Sequence, residues 1–443
     1  MNATATLPSR PAAWRDPAAW SKASDIVAVL LALSLPWSTS LVGIFAVVFV
    51  LTVVPTIRWP AFTASLLRPA SALPIALFAL ALVGMLWSEA PWGVRLHSIG
   101  PLAKFLILPL LIYHFERSER GVWVFKAFLA SCALLSVISW LVMLDPGLSI
   151  KRDGVERGIF VKNYIDQSQE FALCAIVLAH SIVRLLRGKK IWQALGLIVI
   201  AASFILNMAF VIVSRTAMVT LPVMLAVFAL LHLKRRTSAI IIMATMVLAG
   251  LAWTASPQLR WTTKTFVRDY QLYKEENVPT SIGLRLEYWK KSLRFFNAAP
   301  LFGHGTGSTR GLFEAAATGP AVLAAGQVIG NPHNQTLNVA VQWGSVGVMM
   351  LYTMWFSHLL LFRGEGLIPW IGLMVVLQNI FSSLFNSHLF DFHEGWMYVL
   401  GVGVAGGILR KLGSFGQEAQ TGNSDMMTRM RATDQLSGES KWP

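Results

Sequence analysis

The sequence predicts an all-α polytopic membrane protein with about twelve transmembrane helices and one large extramembrane loop. Hydrophobic residues make up 55% of the 443 and charged residues only 13%, about half the charged share of an ordinary soluble domain. The apolar residues come in blocks of about 17 to 24, the length a helix needs to cross a hydrocarbon core of about 30 Å. The basic residues collect in short connections between alternate blocks, the positive-inside pattern of a bacterial inner membrane protein. A net charge of +15 so distributed argues against nucleic acid as partner and for contact with anionic lipid. Alternating ten-residue strands are absent, which excludes an outer-membrane barrel.

In order, the expected spans are 25–38, 40–56, 70–87, 98–115, 121–144, 169–187, 191–213, 216–233, 238–255, 334–361, 366–386 and 393–409. The first follows a polar lead, 1–24, and lacks a small-residue cleavage site, so it reads as a retained helix. Basic connections at Arg58 and Arg68, Arg117 and Arg120, Arg184 to Lys190, Lys234 to Arg236, Arg363, and Arg410 with Lys411 put both termini in the cytoplasm. The chain then divides into helices one to nine (25–255), a polar segment (256–333), helices ten to twelve (334–410) and a tail (411–443) whose Ser, Gly, Asn and Asp content predicts disorder. Cys132 and Cys174 sit in apolar blocks as small buried hydrophobes, with no disulfide framework.

Segment 256–333 faces the outside, and a connection of that length has structure and a task of its own. Apolar residues at Leu286, Trp289, Leu293 and Phe296 predict an amphipathic helix at the membrane surface. Beyond it, Gly303, Gly305 and Gly307 let the backbone turn tightly and present N–H groups to a ligand.

Cations on the outer side run against the positive-inside bias and so attract notice. Arg215 lies between two apolar runs with no acidic neighbour; it either snorkels to the interface or offers its planar fork of donors to an anion such as phosphate. Arg285 and Trp289 share one helical face. Arg152, Arg157 and Lys162 sit among acidic residues as a solvated loop, with phosphate contact as the other reading; Lys104 snorkels or joins the anion site. His333, within Asn331-Pro332-His333-Asn334-Gln335, stands at the mouth of a membrane helix, where a helix N-terminus keeps imidazole neutral. A neutral imidazole accepts a hydroxyl proton near pH 7, although a histidine there can also serve only as a cap. Asn334 and Gln335 add polar groups at the same mouth. His388, Asp391, His393 and Glu394 are metal-ligand types without a metal-binding spacing, so no metal site is assigned. Phosphate-binding loops, serine-nucleophile elbows and paired inverted repeats are not found.

Ser214-Arg215, Arg285-x-x-x-Trp289, Pro300-Leu301-Phe302-Gly303-His304-Gly305-Thr306-Gly307, and His333-Asn334 followed by Gly344 and Gly347, in that order and spacing, resemble the O-antigen ligase and O-antigen polymerase superfamily. The resemblance implies an inner membrane enzyme of the GT-C kind whose large loop is periplasmic. It implies transfer of O-antigen from undecaprenyl diphosphate to lipid A–core oligosaccharide, inverting the anomeric centre with no cofactor, metal or ATP. It further implies that Arg215 and Arg285 engage the diphosphate, that His333 is the general base, and that Arg152, Arg157, Lys162, Trp289, Gly303, Gly305, Asn334 and Gln335 contact substrate. A polymerase extending the glycan on its lipid carrier shares these motifs, and a lipid or polysaccharide transporter is the alternative from another class.

Overall fold

A computed structural model describes residues 16–151 and 156–413. The first fifteen residues of the expected lead, Arg152, the expected tail beyond residue 413 and the side chains of Arg215, Met218 and His232 lie outside the described residues. Seventeen helices follow one another and no strand occurs among the described residues. They are α1 (Pro17–Ser34), α2 (Thr39–Val53), α3 (Trp59–Leu66), α4 (Pro69–Val83), α5 (Trp92–Ile99), α6 (Ile107–Phe115), α7 (Gly121–Leu144), α8 (Tyr164–Arg187) and α9 (Ile191–Phe210). Then come α10 (Arg215–His232), α11 (Arg235–Ala255), α12 (Pro257–Glu276), α13 (Ser281–Ala298), α14 (Thr309–Ala315), α15 (Gln335–Leu361), α16 (Leu367–Ser382) and α17 (392–413). Side-chain caps set many of the boundaries: Asp16, Ser38, Asn163, Ser214, Ser256, Thr280 and Asn334 each accept a backbone N–H from the turn they start.

Among the described residues seven helices are long and apolar enough to cross a membrane, or eight if α3 and α4, bent by 77° at their junction, form one broken span. Two further apolar helices, Val219–Leu231 within α10 and Leu367–Ser382, are shorter than a span. The expected block 98–115 falls within the candidate span Trp92–Phe115, which is not one continuous α-helix. Its stretch Gly100–Leu106 is a 3-10 helix between α5 and α6, where Pro101 has no N–H to give to an α-helical bond.

The centre of the bundle is α17, buried from 393 to 407. Its glycines admit close neighbours: a Cβ at Gly401 would meet the Val375 side chain at 2.6 Å, and one at Gly407 would meet the Ile112 carbonyl at 2.8 Å. Its opposite is α11, only 6% buried over its apolar window, with Met243, Met246, Leu248 and Leu251 outward, as suits a helix bathed in lipid.

The expected amphipathic helix is α13, but its buried face is Gly283, Glu287, Tyr288, Lys291 and Ser292, not the Leu286–Trp289–Leu293–Phe296 stripe; Leu293 is 52% exposed. Two of the charged groups on that face are satisfied within the protein. Tyr273 of α12 donates its hydroxyl to Glu287 at 2.9 Å, and the Lys291 ammonium donates to the Ala325 carbonyl at 2.6 Å. Packing of α13 between α12 and α15 therefore selects the face buried within the protein.

Helix α15 is broken at Gly344 (φ 58°, ψ −154°). The Pro300–Gly307 turn enters the break and takes its unpaired groups: His304 N–H to Val341 O at 2.9 Å, Gly305 N–H to Gln342 O at 2.8 Å, Ser345 N–H to Pro300 O at 2.8 Å and Val346 N–H to Leu301 O at 3.2 Å. Backbone left unpaired inside a membrane protein is costly, so a broken span persists only where another segment re-satisfies it.

Candidate active site around His333

His333 has φ +52°, an uncommon conformation for a residue with a Cβ. Asn331 holds the turn by accepting the His333 N–H on its side-chain oxygen at 3.0 Å. The imidazole lies beside the Tyr288 ring of α13, centroids 6.1 Å apart and tilted by 31°. On its other side is the 383–391 turn between α16 and α17, where His333 Nδ1 lies 2.7 Å from Asn386 Oδ1 and Asn386 Nδ2 donates to Asp391 Oδ2 at 2.7 Å. A carboxylate only accepts, so the Asn386 amide turns its NH₂ to Asp391 and its oxygen to His333. His333 must then carry its proton on Nδ1, which leaves Nε2 as the acceptor.

Lys104 secures that turn from beneath. It is buried, and its ammonium donates to the carbonyls of Phe390 (3.1 Å) and Asp391 (2.5 Å), so it anchors backbone where the sequence allowed snorkelling. Burial pushes the Asp391 carboxyl up to about 7, against the pull of the Lys104 charge. Burial is also the main cause lowering the His333 pKa; the Arg285 charge adds to it and the bond to Asn386 opposes it. The neutrality expected of His333 thus has desolvation as its first cause, in place of a helix dipole.

Arg285 lies on α13 one turn before Trp289, and both line a cavity of about 930 Å³ with Arg157, Ser214, Trp261, Phe266 and Phe385, the neighbour of Asn386. Arg285 donates to Ser281 Oγ at 3.2 Å. Arg215 is the first residue of α10, directly after the cavity-lining Ser214. The walls combine guanidinium groups with apolar surface, which suits a lipid bearing an anionic head.

Several other residues expected to contact substrate make hydrogen bonds within the fold. Lys162 is a buried tie, its ammonium bonded to the Leu35 carbonyl and 3.3 Å from the buried Glu170, because a desolvated lysine needs a partner. Asn334 caps α15, accepting from Leu337 N–H at 3.0 Å and donating to Leu384 O at 3.1 Å. Gln335 is fully buried and accepts the Leu389 N–H at 3.1 Å. Gly303 and Gly305 (φ +65° and +85°) donate their N–H groups to Ala299 O and Gln342 O, so neither presents an N–H to a ligand. A Cβ on Gly303 would stand 2.6 Å from the backbone of residues 342–344.

The glycine segment nonetheless reaches the histidine through an unbroken series of hydrogen bonds. Gly307 N–H donates to Gln342 Oε1 (2.9 Å), Gln342 Nε2 to Asn338 Oδ1 (2.9 Å), Asn338 Nδ2 to Ser387 Oγ (3.2 Å), and Ser387 Oγ to Asn331 Oδ1 (2.7 Å), the oxygen that also holds His333. Asn386 and Ser387 were not read from the sequence as site residues; a polar Asn-Ser-His run between two apolar blocks was the available signal.

Of the remaining polar group, His393 pairs with Asp166 of α8 at 2.5 Å. His388, Asp391 and Glu394 bring ligand-type atoms within 4.8 Å of one another, and the Lys104 ammonium, packed against Gly395, already supplies positive charge beside them.

No curated protein matches this chain. Residues 200–352 match the family model Wzy_C, described as O-Antigen ligase, a segment that contains Arg215, Arg285, the glycine turn, His333 and the break in α15. The match is a likeness of this segment to O-antigen ligases and covers about a third of the 443 residues.

Proposed function

We propose that the protein is an O-antigen ligase of the bacterial inner membrane, with twelve helices of the GT-C kind, both termini cytoplasmic and His333 at the periplasmic face. It transfers O-antigen from undecaprenyl diphosphate to a sugar hydroxyl of lipid A–core. His333 Nε2 takes the proton of the acceptor hydroxyl, the oxygen attacks the anomeric carbon from the face opposite the diphosphate, and the bond from that carbon to the diphosphate oxygen breaks with inversion. Arg285 and Arg215 gather the charge that grows on the leaving diphosphate, the service a metal gives in other transferases. The observation that carries this reading is the hydrogen-bonded series from His333 through Asn386 to Asp391, next to Phe385, which lines the cavity that holds Arg285.

Purified protein in detergent, given a lipid-linked glycan and either lipid A–core or a second lipid-linked repeat, should glycosylate lipid A–core with no gradient present. Extension of the lipid-linked repeat alone would make it a polymerase. Movement of lipid across vesicles with no transfer to either acceptor would end the enzyme reading.

Asn386 acts through His333 and has its own signature. As pH falls through about 7, Asp391 takes up a proton and the amide loses its preferred orientation, so kcat declines there; His333, held below the ordinary imidazole range by burial, protonates at still lower pH. Asn386→Leu should lower kcat by about tenfold or more while the donor KM stays near wild type, and should erase the decline near pH 7. An Asn386→Leu enzyme with the wild-type pH profile would show that the amide only packs.

A further inference from the structure

We propose that the protein binds an anionic phospholipid in a cleft at the membrane face opposite His333. A cavity of about 830 Å³ opens where the far ends of α8, α10, α15 and α16 meet. The two cavities use opposite ends of the same helices. Tyr164 and Ile165 at the start of α8 line the cavity of Arg285, and Arg184 and Arg187 at its end line this one. The 24 residues of α8 separate the two ends by about 36 Å at about 1.5 Å per residue, the thickness of a bilayer's apolar core and part of its headgroup zone. Under the orientation proposed above, this face belongs to the cytoplasmic leaflet, which carries the anionic lipids.

The lining divides by chemistry. Arg184, Arg187 and Arg363 surround the mouth with His180 and one carboxylate, Glu365, and the inner wall is apolar, formed by Phe228, Leu231, Leu359, Leu373 and Trp370. The wall is rigid: Phe228 and Trp370 meet edge to face with centroids 5.0 Å apart, and the Trp370 indole N–H donates to the Ile176 carbonyl at 3.2 Å. The mouth is closed on one side by Gly364 and Gly366 at φ +136° and +115°, which carry the chain from α15 to α16 past Arg363.

Arginines that only set orientation in the membrane need no cavity beside them. A free phosphate would be drawn to the guanidinium groups but would leave the apolar wall uncovered. A phospholipid covers both, its acyl chain on Phe228, Leu231 and Leu373 and its phosphate at the fork donors of Arg184 and Arg363. Basic pockets between membrane helices at this depth take lipids of that charge.

The test is thermal unfolding and lipid retention of the purified full chain. Phosphatidylglycerol or cardiolipin micelles should raise the unfolding temperature and remain bound in native mass spectrometry, while phosphatidylcholine and inorganic phosphate should do neither. The double variant Arg184→Gln/Arg363→Gln should bind phosphatidylglycerol more weakly by about tenfold or more, because each change removes a charge-assisted hydrogen bond to the lipid phosphate. Lys234→Gln/Arg235→Gln, in the α10–α11 connection on the same face and outside the cleft, should bind as wild type. Equal weakening in both pairs would mean diffuse surface attraction and overturn the proposal, as would stabilisation by phosphate alone. Should the double variant not fold, Arg363→Gln alone is read in the same lipid titration, and unchanged retention there also overturns it. Since glycan transfer is not the readout, a failure here leaves the ligase reading standing, and the reverse holds too.

Discussion

His333→Ala is expected to lower glycan transfer by about 10²–10⁴-fold, the range that general-base assistance supplies, while the protein stays folded in the membrane. The loss should lie in kcat, since Arg285 and the apolar walls proposed to hold the lipid carrier are untouched. Because His333 sits at φ +52°, alanine adds backbone strain of its own, and His333→Asn is the cleaner companion, as asparagine tolerates that conformation and has no basic nitrogen. Both variants should melt near the wild-type temperature and transfer glycan at the same low residual rate. Transfer within a few-fold of wild type by either would remove His333 from the chemistry and reduce it to a cap on α15. The comparison also separates His333 from its neighbours, because Asn386→Leu should retain part of the rate that His333→Asn loses.

The second large effect concerns folding. Gly344→Ala should destabilise the protein by about 3 kcal/mol or more, through a φ, ψ pair that residues with a Cβ do not adopt and through contact with a packed backbone. A Cβ there would stand 2.4 Å from the Leu301 carbonyl oxygen, on the strand of chain that fills the break in α15. Little protein should reach the membrane, and what does should melt well below wild type. Gly196→Ala is the control, since nothing lies within 4 Å of a Cβ at that position and alanine is the better helix former. A Gly344→Ala protein as stable as wild type would mean that α15 runs unbroken through this point. Displacing the Pro300–Gly307 turn should also weaken the hydrogen-bond series ending at Asn331, so surviving Gly344→Ala protein is expected to transfer poorly as well.

These two positions mark what each level of information carries. His333 stood out as a candidate in the sequence because a histidine with three amides at the start of an apolar helix is an expensive placement. Arg285 and Trp289 were legible from their four-residue spacing, and the structure sets both on one cavity wall. Asn334 and Gln335 drew notice for the same polar reason as His333, yet their side chains bind Leu337, Leu384 and Leu389. Composition cannot tell a polar group that serves the fold from one that serves a ligand, because both must be hydrogen-bonded when buried. Lys162 shows the same ambiguity for charge, its partner Glu170 being nearly two turns into a helix whose burial no local pattern announces. For the glycines the positive φ values expected are present, but the N–H groups bond within the fold, that of Gly303 to Ala299 and those of Gly305 and Gly307 to Gln342 of α15.

By itself the sequence determined that the chain is helical and apolar enough for repeated membrane crossing, and which family its motifs resemble. Those properties are written in residue-by-residue hydropathy and short spacings, both of them local. Only the tertiary structure decided that Asn386 and Asp391, more than fifty residues beyond His333, set its tautomer, that α13 buries its Tyr288 face, and that α15 breaks to admit a loop from forty residues upstream. These depend on which distant donors and acceptors meet once water is excluded, and a one-dimensional pattern of polarity leaves that pairing open.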